Sequence, residues 1–285
     1  MNRDIRGPCA SVIVPATGSA DRLGDTVESI LCQSCTDLEL IVVDDGSSGA
    51  VPGALSEWAD PRIVYLRLPG PCGTARACNA GIGAARGGLV GFAGSGDTWE
   101  RRRLEEQAGA FARLDPAYGV VYSDRWEITA AGNRAYWHMP DMDGGGILDP
   151  YATGFLAGSL GTGPILVRRP FLERAGPFDE ELRGFSETDL IIRLQRLCRF
   201  HHIAQPLYSR RTSHDEPVDP FGTSIARLLL LQKYPEALAD PVFVAHQADL
   251  IRRSLRTVPA DAPGIPDGVR RETDPVRYRQ PVPYS

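Results

Sequence analysis

Two adjacent aspartates follow directly on a short apolar segment near the start of the chain. The segment is residues 38–43, almost entirely leucine, isoleucine and valine, and Asp44 and Asp45 come next, before the turn-forming Gly46. Such a run is typical of a strand buried on both faces of a parallel sheet, although a buried turn of helix has a similar composition. In an open α/β sheet, ligands bind outside the carboxyl ends of the strands. The two carboxylates could therefore contact a ligand; the alternative is a plain turn with an Asx cap.

The elements around this segment predict a β-α-β unit. Residues 11–15 form a first buried strand, and apolar residues at helical spacing follow from position 21 to about 34. The crossover should be right-handed, so the two strands run parallel. Strands are also predicted at 63–66, 89–92, 119–124, 164–167 and 203–208, and helices at 54–58, 73–85, 101–114, 170–176, 188–198, 224–232 and 242–255. The glycine-rich stretch 141–163 is predicted to be a loop over a site.

Composition bounds the class of protein. The chain has 285 residues, 42% of them hydrophobic and 24% charged, which is typical of a globular protein. The net charge of -5 argues against general nucleic-acid binding, which requires a basic surface. There is no apolar run of about 18 residues and no N-terminus resembling a signal peptide, so we expect no membrane span and a cytoplasmic location.

Cysteines and histidines offer weaker signals. Cys32 and Cys35 have C-x-x-C spacing, but no second pair lies at the distance of a zinc ribbon. We expect reduced, structural thiols. His201 and His202 are interpreted as edge-strand residues without partners at metal spacing.

Taken together, the ordered motifs resemble a family 2 glycosyltransferase of the GT-A fold. No single piece is specific, but their order is. The pieces are the strand at 11–15, residues 29–33, the segment 37–47, residues 79–82, the segment 92–99, residues 103–107, the turn 176–180, and Asp189-Leu190 with Arg193-Leu194. The resemblance covers about residues 10–212. It implies an α/β fold with a mostly parallel central sheet flanked by helices.

The resemblance also implies an activity, which is transfer of a sugar from a nucleotide diphosphate to an acceptor with inversion at the anomeric carbon. Asp44 or Asp45 would hydrogen-bond the base or the ribose, and each such charge-assisted bond is worth about 1.5–3 kcal/mol. The other residues expected around the nucleotide are Pro15, Thr17, Arg76, Asn79, Ser95 and Arg211. A UDP- or dTDP-linked donor is expected, with a small-molecule or glycan acceptor.

The chain departs from the family pattern at the metal site. Members usually carry D-x-D, often followed by another Asp, to hold Mg²⁺ or Mn²⁺ against the diphosphate. Here the segment is Gly94-Ser95-Gly96-Asp97, so only the last aspartate survives. One carboxylate could still hold an ion that keeps several waters. His214 is the second candidate ligand, because the resemblance implies a basic or His-containing segment over the diphosphate. Alternatively, Arg76, Arg101, Arg211 or His214 would meet the leaving-group charge, or Asp97 is simply an N-cap for the following helix.

An inverting transfer also needs a carboxylate to take the proton of the acceptor hydroxyl. By resemblance this general base is Glu187, with Asp189 as the second candidate. Judged from the residues alone, residues 186–189 are an acidic helix N-terminus favoured by the helix dipole.

The sequence leaves three hypotheses about function and predicts the domain boundaries. The leading hypothesis is a glycosyltransferase; the second is a catalytically silent, glycosyltransferase-like accessory or binding protein, suggested by the two glycines. A nucleotidyltransferase is disfavoured because no Gly-rich, Arg/Lys-containing signature follows the first strand. We expect a GT-A domain at 1–215, a helical extension at 216–258 and a proline-rich tail at 259–285, which could wrap a neighbouring subunit in a homo-oligomer.

Overall fold

The computed structural model describes residues 7–16, 22–46, 50–129, 131–139, 141–142, 160–182, 184–211, 220–235 and 241–256. Within these residues nine strands and eight helices alternate. The strands are β1 (Ala10–Ala16), β2 (Leu38–Asp44), β3 (Ile63–Arg67), β4 (Leu89–Phe92), β5 (Thr98–Trp99), β6 (Tyr118–Ile128), β7 (Arg134–Trp137), β8 (Ile165–Arg168) and β9 (Arg199–Arg211). The helices are α1 (Leu23–Leu31), α2 (Ala50–Leu55), α3 (Thr74–Ala84), α4 (Arg103–Arg113), α5 (Arg169–Ala175), α6 (Ser186–Gln195), α7 (Pro220–Lys233) and α8 (Pro241–Arg256).

The strands form one mixed sheet. Their order among the described residues is β3-β2-β1-β4-β8-β6-β9-β5, and β7 pairs with the far end of β6. Strands β3, β2, β1 and β4 are mutually parallel, whereas β8 is antiparallel to both of its neighbours. The carboxyl ends of β1, β2 and β4 therefore meet at one end of the sheet, where the sequence predicts a ligand.

Both faces of the sheet are covered. Every residue of β1, β2 and β4 is buried, which explains why these strands are continuous apolar runs rather than alternating ones. On one face Leu23, Val27 and Leu104 of α1 and α4 pack in the core. On the other face Cys78 of α3 and Ile191 of α6 do so. The predicted α/β architecture is confirmed.

Several boundaries differ from the prediction. Helix α2 begins four residues earlier and ends three residues earlier than predicted. The short strands β5 and β7 were not predicted. Strand β9 is longer than expected and lies between β6 and β5. At His202, strand β9 pairs only with β6, because β5 reaches β9 only at Tyr208 and Ser209. His202 is therefore an edge-strand residue as expected, although its side chain is only 7% exposed. The expectation that it has no partners at metal spacing is wrong, because Asp124 and His138 lie close to it. Most of the predicted loop at 141–163 and the whole tail at 259–285 lie outside the described residues.

The two helices of the 216–258 segment contact each other. Arg227 of α7 donates to Gln247 Oε1 of α8 at 2.5 Å. None of the helices in the described ranges is long and apolar enough to cross a membrane.

Candidate active site

The first candidate residue, Asp44, ends strand β2 at the carboxyl end of the sheet. It is fully buried, and its Oδ2 accepts a hydrogen bond from Tyr65 Oη at 2.7 Å. Arg67 Nε lies 4.0 Å from the same oxygen. Burial, followed by the neighbouring carboxylate, raises the pKa of Tyr65, so the phenol stays protonated and donates. Asp44 is thus a buried anion supported from β3. Pro15 lies beside it, near the end of β1, and is buried.

Asp45 connects the start of helix α3 to the sheet. Its two oxygens accept the backbone N–H groups of Cys72 and Gly73, both at 2.8 Å, just before α3 begins. The Cys72 thiol also donates to Oδ1 at 2.8 Å, and its pKa is raised to about 11, by burial first and by Asp45 second. A carboxylate in this position satisfies backbone donors left over at a helix N-terminus. Asp45 therefore caps a helix 28 residues away, rather than its own turn.

Helix α1 holds the turn that follows β4. Thr26 Oγ1 accepts the N–H of Gly96 at 2.8 Å and donates to the carbonyl of Asp97 at 2.8 Å. Gly96 has φ of +100°, a conformation that favours glycine. The degenerate metal segment is therefore a tightly defined turn.

Asp97 lies inside this turn and is only 8% exposed. Its Oδ2 accepts the Gly94 N–H at 3.0 Å and the hydroxyl of Tyr208, and its Oδ1 accepts the Arg211 N–H at 3.0 Å. Burial raises the pKa of Asp97, and these three donors work in the opposite direction. The side chain thus joins the turn after β4 to the end of β9.

This geometry was tested against the metal ion that the family pattern implies. Asp97 uses both oxygens on protein donors, and the two neighbouring acid positions are Gly94 and Gly96. Among the side chains with described positions, no second carboxylate faces Asp97. Within the described residues Asp97 would therefore be the only acidic ligand of an ion, which favours the alternative that cations meet the leaving-group charge. His214, the other predicted ligand, lies outside the described residues, as does Thr17.

A buried aromatic and a buried cation lie beneath Asp97. The Tyr208 ring packs against Gly163, where a Cβ would collide with its hydroxyl. The Arg103 guanidinium lies 5.3 Å from that ring and 3.8 Å from the Trp99 ring, and it donates to the Gly163 carbonyl at 2.6 Å. Burial first, and the charge of Asp97 second, raise the pKa of Tyr208. Asp97, Tyr208 and Arg103 form one buried polar unit.

Glu187 differs from the other acids because it is exposed. It lies in the first turn of α6, where the helix dipole favours a negative charge. The Thr162 hydroxyl donates to its Oε1, and Oε2 lies over Gly161, where a Cβ would approach it to 3.2 Å. Its charge contributes to the raised pKa of Tyr208. The segment 161–163 thus contacts both Glu187 and the buried unit.

Asp189, the second candidate base, is fully buried. Its Oδ2 accepts from Arg193 at 2.7 Å, and its Oδ1 accepts from Tyr234 Oη at 2.6 Å and from Lys233 Nζ at 2.9 Å. A carboxylate enclosed by two cations and a phenol has no free path to an acceptor hydroxyl. Asp189 connects α6 to the end of α7, which argues against a role as base.

The remaining predicted residues occupy different environments. The amide of Asn79 is engaged with the turn 176–180, since Oδ1 accepts from Phe178 N at 2.8 Å and Nδ2 donates to Phe178 O at 3.0 Å. Arg76, one turn earlier, is exposed. Ser95 Oγ and Arg211 Nε are buried without a hydrogen-bond partner among the described residues.

Four contributors were missed by sequence reasoning: Tyr65, Arg103, Thr162 and Tyr208. Arg103 lies in one of the family motifs, and this was the only available signal for it. The other three act through contacts with residues far away in the chain, such as the 111-residue separation between Asp97 and Tyr208.

Comparison with known proteins identifies the family of this chain. A family model described as Glycosyl transferase family 2 matches residues 11–162, more than half of the chain. The O-antigen biosynthesis protein RfbC of Myxococcus xanthus is 32% identical over 213 residues, covering 72% of this chain. The succinoglycan biosynthesis protein ExoO of Rhizobium meliloti is 34% identical over 128 residues, covering 45% of it. The chain spans only 16% of RfbC and 36% of ExoO.

Solved structures share the fold. Residues 1–349 of S. aureus TarS, in complex with UDP-GlcNAc, match with a TM-score of 0.63 and 18% identity, covering 86% of this chain and 71% of that one. The mannosyltransferase PcManGT of Pyrobaculum calidifontis, in complex with GDP-Man and Mn²⁺, matches with a TM-score of 0.57 and 18% identity, covering 88% and 74%. The GT-A fold is therefore confirmed. With its ordered motifs and the family match over residues 11–162, this chain belongs to glycosyl transferase family 2.

Proposed function

We propose that this protein transfers a sugar from a nucleotide-diphosphate donor to an acceptor hydroxyl, with inversion and with Glu187 as the general base. The observation that carries the proposal is the contrast among its carboxylates. Asp45, Asp97 and Asp189 are each enclosed by protein donors, whereas Glu187 is exposed and oriented by Thr162. A general base must reach the proton that it accepts, and Glu187 is the acid of this group that can.

The donor nucleotide is proposed to bind at the carboxyl ends of β1 and β2. Asp44 and Asp45 lie there, and a carboxylate is an acceptor for a ribose hydroxyl or a base N–H. A uracil or thymine nucleotide, as in a UDP- or dTDP-linked sugar, offers one such N–H. TarS, which has the same fold, was solved with UDP-GlcNAc, which supports this class of donor.

The chemical step needs a base and a site for the leaving-group charge. Glu187 accepts the proton of the acceptor hydroxyl while the oxygen of that hydroxyl attacks the anomeric carbon. The bond from that carbon to the diphosphate oxygen breaks, and the nucleoside diphosphate leaves with the electron pair. We assign its charge to Arg211, whose backbone is fixed by Asp97 and whose Nε has no partner in the described part of the chain. No step is assigned to a metal ion, because Asp97 does not offer a free ligand oxygen.

Calorimetric titration tests the donor site. UDP, dTDP and GDP would be added first with Mn²⁺ and then with EDTA. We expect binding of UDP or dTDP to persist in EDTA and to weaken about tenfold or more in Arg211→Ala, the loss of one charge-assisted contact. Arg210→Ala is the matched control, since Arg210 is the exposed neighbour on the same strand and should leave binding unchanged.

Two results would contradict the proposal. Binding that requires Mn²⁺ would assign the diphosphate to a metal ion rather than to Arg211. Failure of all three nucleotides to bind would remove the donor site itself.

A second candidate function is that of a catalytically silent accessory or binding protein. It is favoured by Gly94 and Gly96 at positions where the family carries acids. Release of nucleoside diphosphate from nucleotide sugars distinguishes the two. Slow release with water as the acceptor, abolished in Glu187→Gln, supports the enzyme; nucleotide binding without release from any donor supports the accessory protein.

A further inference from the structure

We propose that Asp124, His138 and His202 form a binding site for a divalent transition-metal ion of the Zn²⁺ class, separate from the proposed donor site. These residues come from the middle of β6, the segment directly after β7, and β9. One ligand atom from each, all within 4.8 Å of one another, faces a common point. The proposal does not depend on the sugar-transfer activity.

The backbone brings the three residues together by an irregularity in the β6–β9 pairing. Tyr122 pairs with His202 and Ser123 with Ile203, but Asp124 pairs with Pro206, so β9 carries extra residues at this point. A bulge of this kind redirects side chains. The His202 ring then stacks on the Tyr122 ring, with centroids 4.8 Å apart, which fixes its orientation.

The distances are close to those of a coordination sphere. Asp124 Oδ1 lies 2.8 Å from His202 Nε2, and Oδ2 lies 3.3 Å from His138 Nδ1. Ligands bound at about 2.1 Å in a tetrahedron lie roughly 3.4 Å apart. An ion would fit if Asp124 Oδ1 and His202 Nε2 moved about half an ångström apart and His138 rotated slightly. The His138 side chain is 63% exposed, so it can rotate and it leaves a route for entry.

The surroundings provide the outer shell that such sites need. Asp124 is fully buried, and besides the histidines it accepts from Tyr136 Oη at 2.5 Å and from the Met139 N–H at 2.8 Å. These two donors keep the carboxylate oriented and remain in place when an ion replaces the imidazole N–H groups. This distinguishes the cluster from Asp97, none of whose three hydrogen-bond donors is a metal ligand.

The donor set indicates the class of ion. Two imidazoles with one carboxylate suit Zn²⁺, Co²⁺, Ni²⁺ or Fe²⁺, whereas Mg²⁺ prefers a shell of oxygens. Three protein ligands leave at least one position for water on the exposed side. An ion here would join β6 and the segment after β7 to β9, whose ligand lies 78 residues from Asp124.

Cobalt titration tests the site. The intact protein, stripped with EDTA and exchanged into metal-free buffer, would be titrated with Co²⁺ while the visible d–d absorption is recorded, and Zn²⁺ would then compete it out. We expect one saturable site, at least tenfold weaker binding in His138→Ala and His202→Ala, and no effect of Mg²⁺. His201→Ala is the matched control, since the His201 ring lies against Tyr118 rather than Asp124.

Because His138 is largely exposed, His138→Ala is expected to fold even if His202→Ala does not. Zn²⁺ should also raise the melting temperature of the wild type by about 5 °C at a hundredfold excess over Kd, and not that of His138→Ala. Absence of saturable binding, or equal affinity in the wild type and His138→Ala, would overturn the proposal. So would a thiolate-to-cobalt charge-transfer band that disappears in Cys32→Ser, because the ion would then lie at the cysteines.

Discussion

The hydroxyl of Tyr208 is predicted to hold the buried Asp97 carboxylate in place, and Tyr208→Phe tests this directly. The substitution keeps the ring against Gly163 and Arg103, so it opens no cavity, and it removes one of the three hydrogen bonds that Asp97 accepts. A hydrogen bond to a charged group is worth about 1.5–3 kcal/mol, and loss of a buried one lies toward the upper end. We therefore expect the free energy of unfolding to fall by about 2–3 kcal/mol.

The effect should depend on pH with a definite sign. Burial raises the pKa of Asp97 in the folded protein. The contribution of such an acid to stability is fully present below its unfolded pKa of about 3.9, and it is lost as the pH rises through the folded pKa. Removal of a donor to the ionised form raises the folded pKa further. The difference between the variant and the wild type should therefore be largest near pH 7.5 and shrink as the pH is lowered.

Urea unfolding at several pH values measures both quantities. Tyr65→Phe is a matched control, because it also removes a phenol hydroxyl from a buried aspartate, yet Tyr65 is 37% exposed and water can replace the hydroxyl. We expect the control to cost less than about 1 kcal/mol. A loss below about 0.5 kcal/mol in Tyr208→Phe, or a loss that does not change with pH, would refute the view that Tyr208 supports an ionised Asp97.

Three other substitutions address the remaining acids. Glu187→Gln should lower kcat about 10²–10⁴-fold with little change in stability, as measured by nucleoside diphosphate release; an unchanged rate would exclude Glu187 as the base. Asp189→Asn should destabilise the fold by about 3 kcal/mol in urea unfolding, because Arg193 and Lys233 lose their shared anion, and a stable but inactive variant would return Asp189 to the list of candidate bases. Asp45→Ala should cost about 1–2 kcal/mol by uncapping α3, and a stability equal to the wild type would show that water replaces the cap.

Elements that carry their own local signal were predictable from the sequence. Strands β1, β2 and β4 are continuous apolar runs, and such runs reflect burial on both faces whatever the partner. Strand β5 has only two residues, and it exists because Thr98 and Trp99 pair with Ser209 and Tyr208. Pairing across such a distance leaves no periodic pattern in either segment. The same holds for the full length of β9 and for the contact of His202 with Asp124, 78 residues away in the chain.

The site followed the same division. The positions of Asp44 and Asp45 at a strand end could be read from the local pattern, and so could Glu187 in the first turn of a helix. The sequence could not show which of the acids remains exposed to a substrate. That depends on donors such as Cys72 and Tyr208, which approach the acids only in the folded chain.

The number of hydrogen-bond donors around each carboxylate explains why the acids of this site are assigned different roles. An acid that accepts several hydrogen bonds in a buried setting is fixed in place and can orient its neighbours, as Asp97 orients the backbone of Arg211. When none of its donors can itself become a metal ligand, as for Asp97, such an acid has little capacity to bind a metal ion or to take up a substrate proton. An acid with one hydroxyl partner and an exposed side chain, such as Glu187, keeps lone pairs free at a point set by Thr162. In the proposed reaction the rigid acids act by positioning and Glu187 acts by proton transfer. We therefore expect kcat to depend on Glu187, and stability to depend on Asp97 and Asp189.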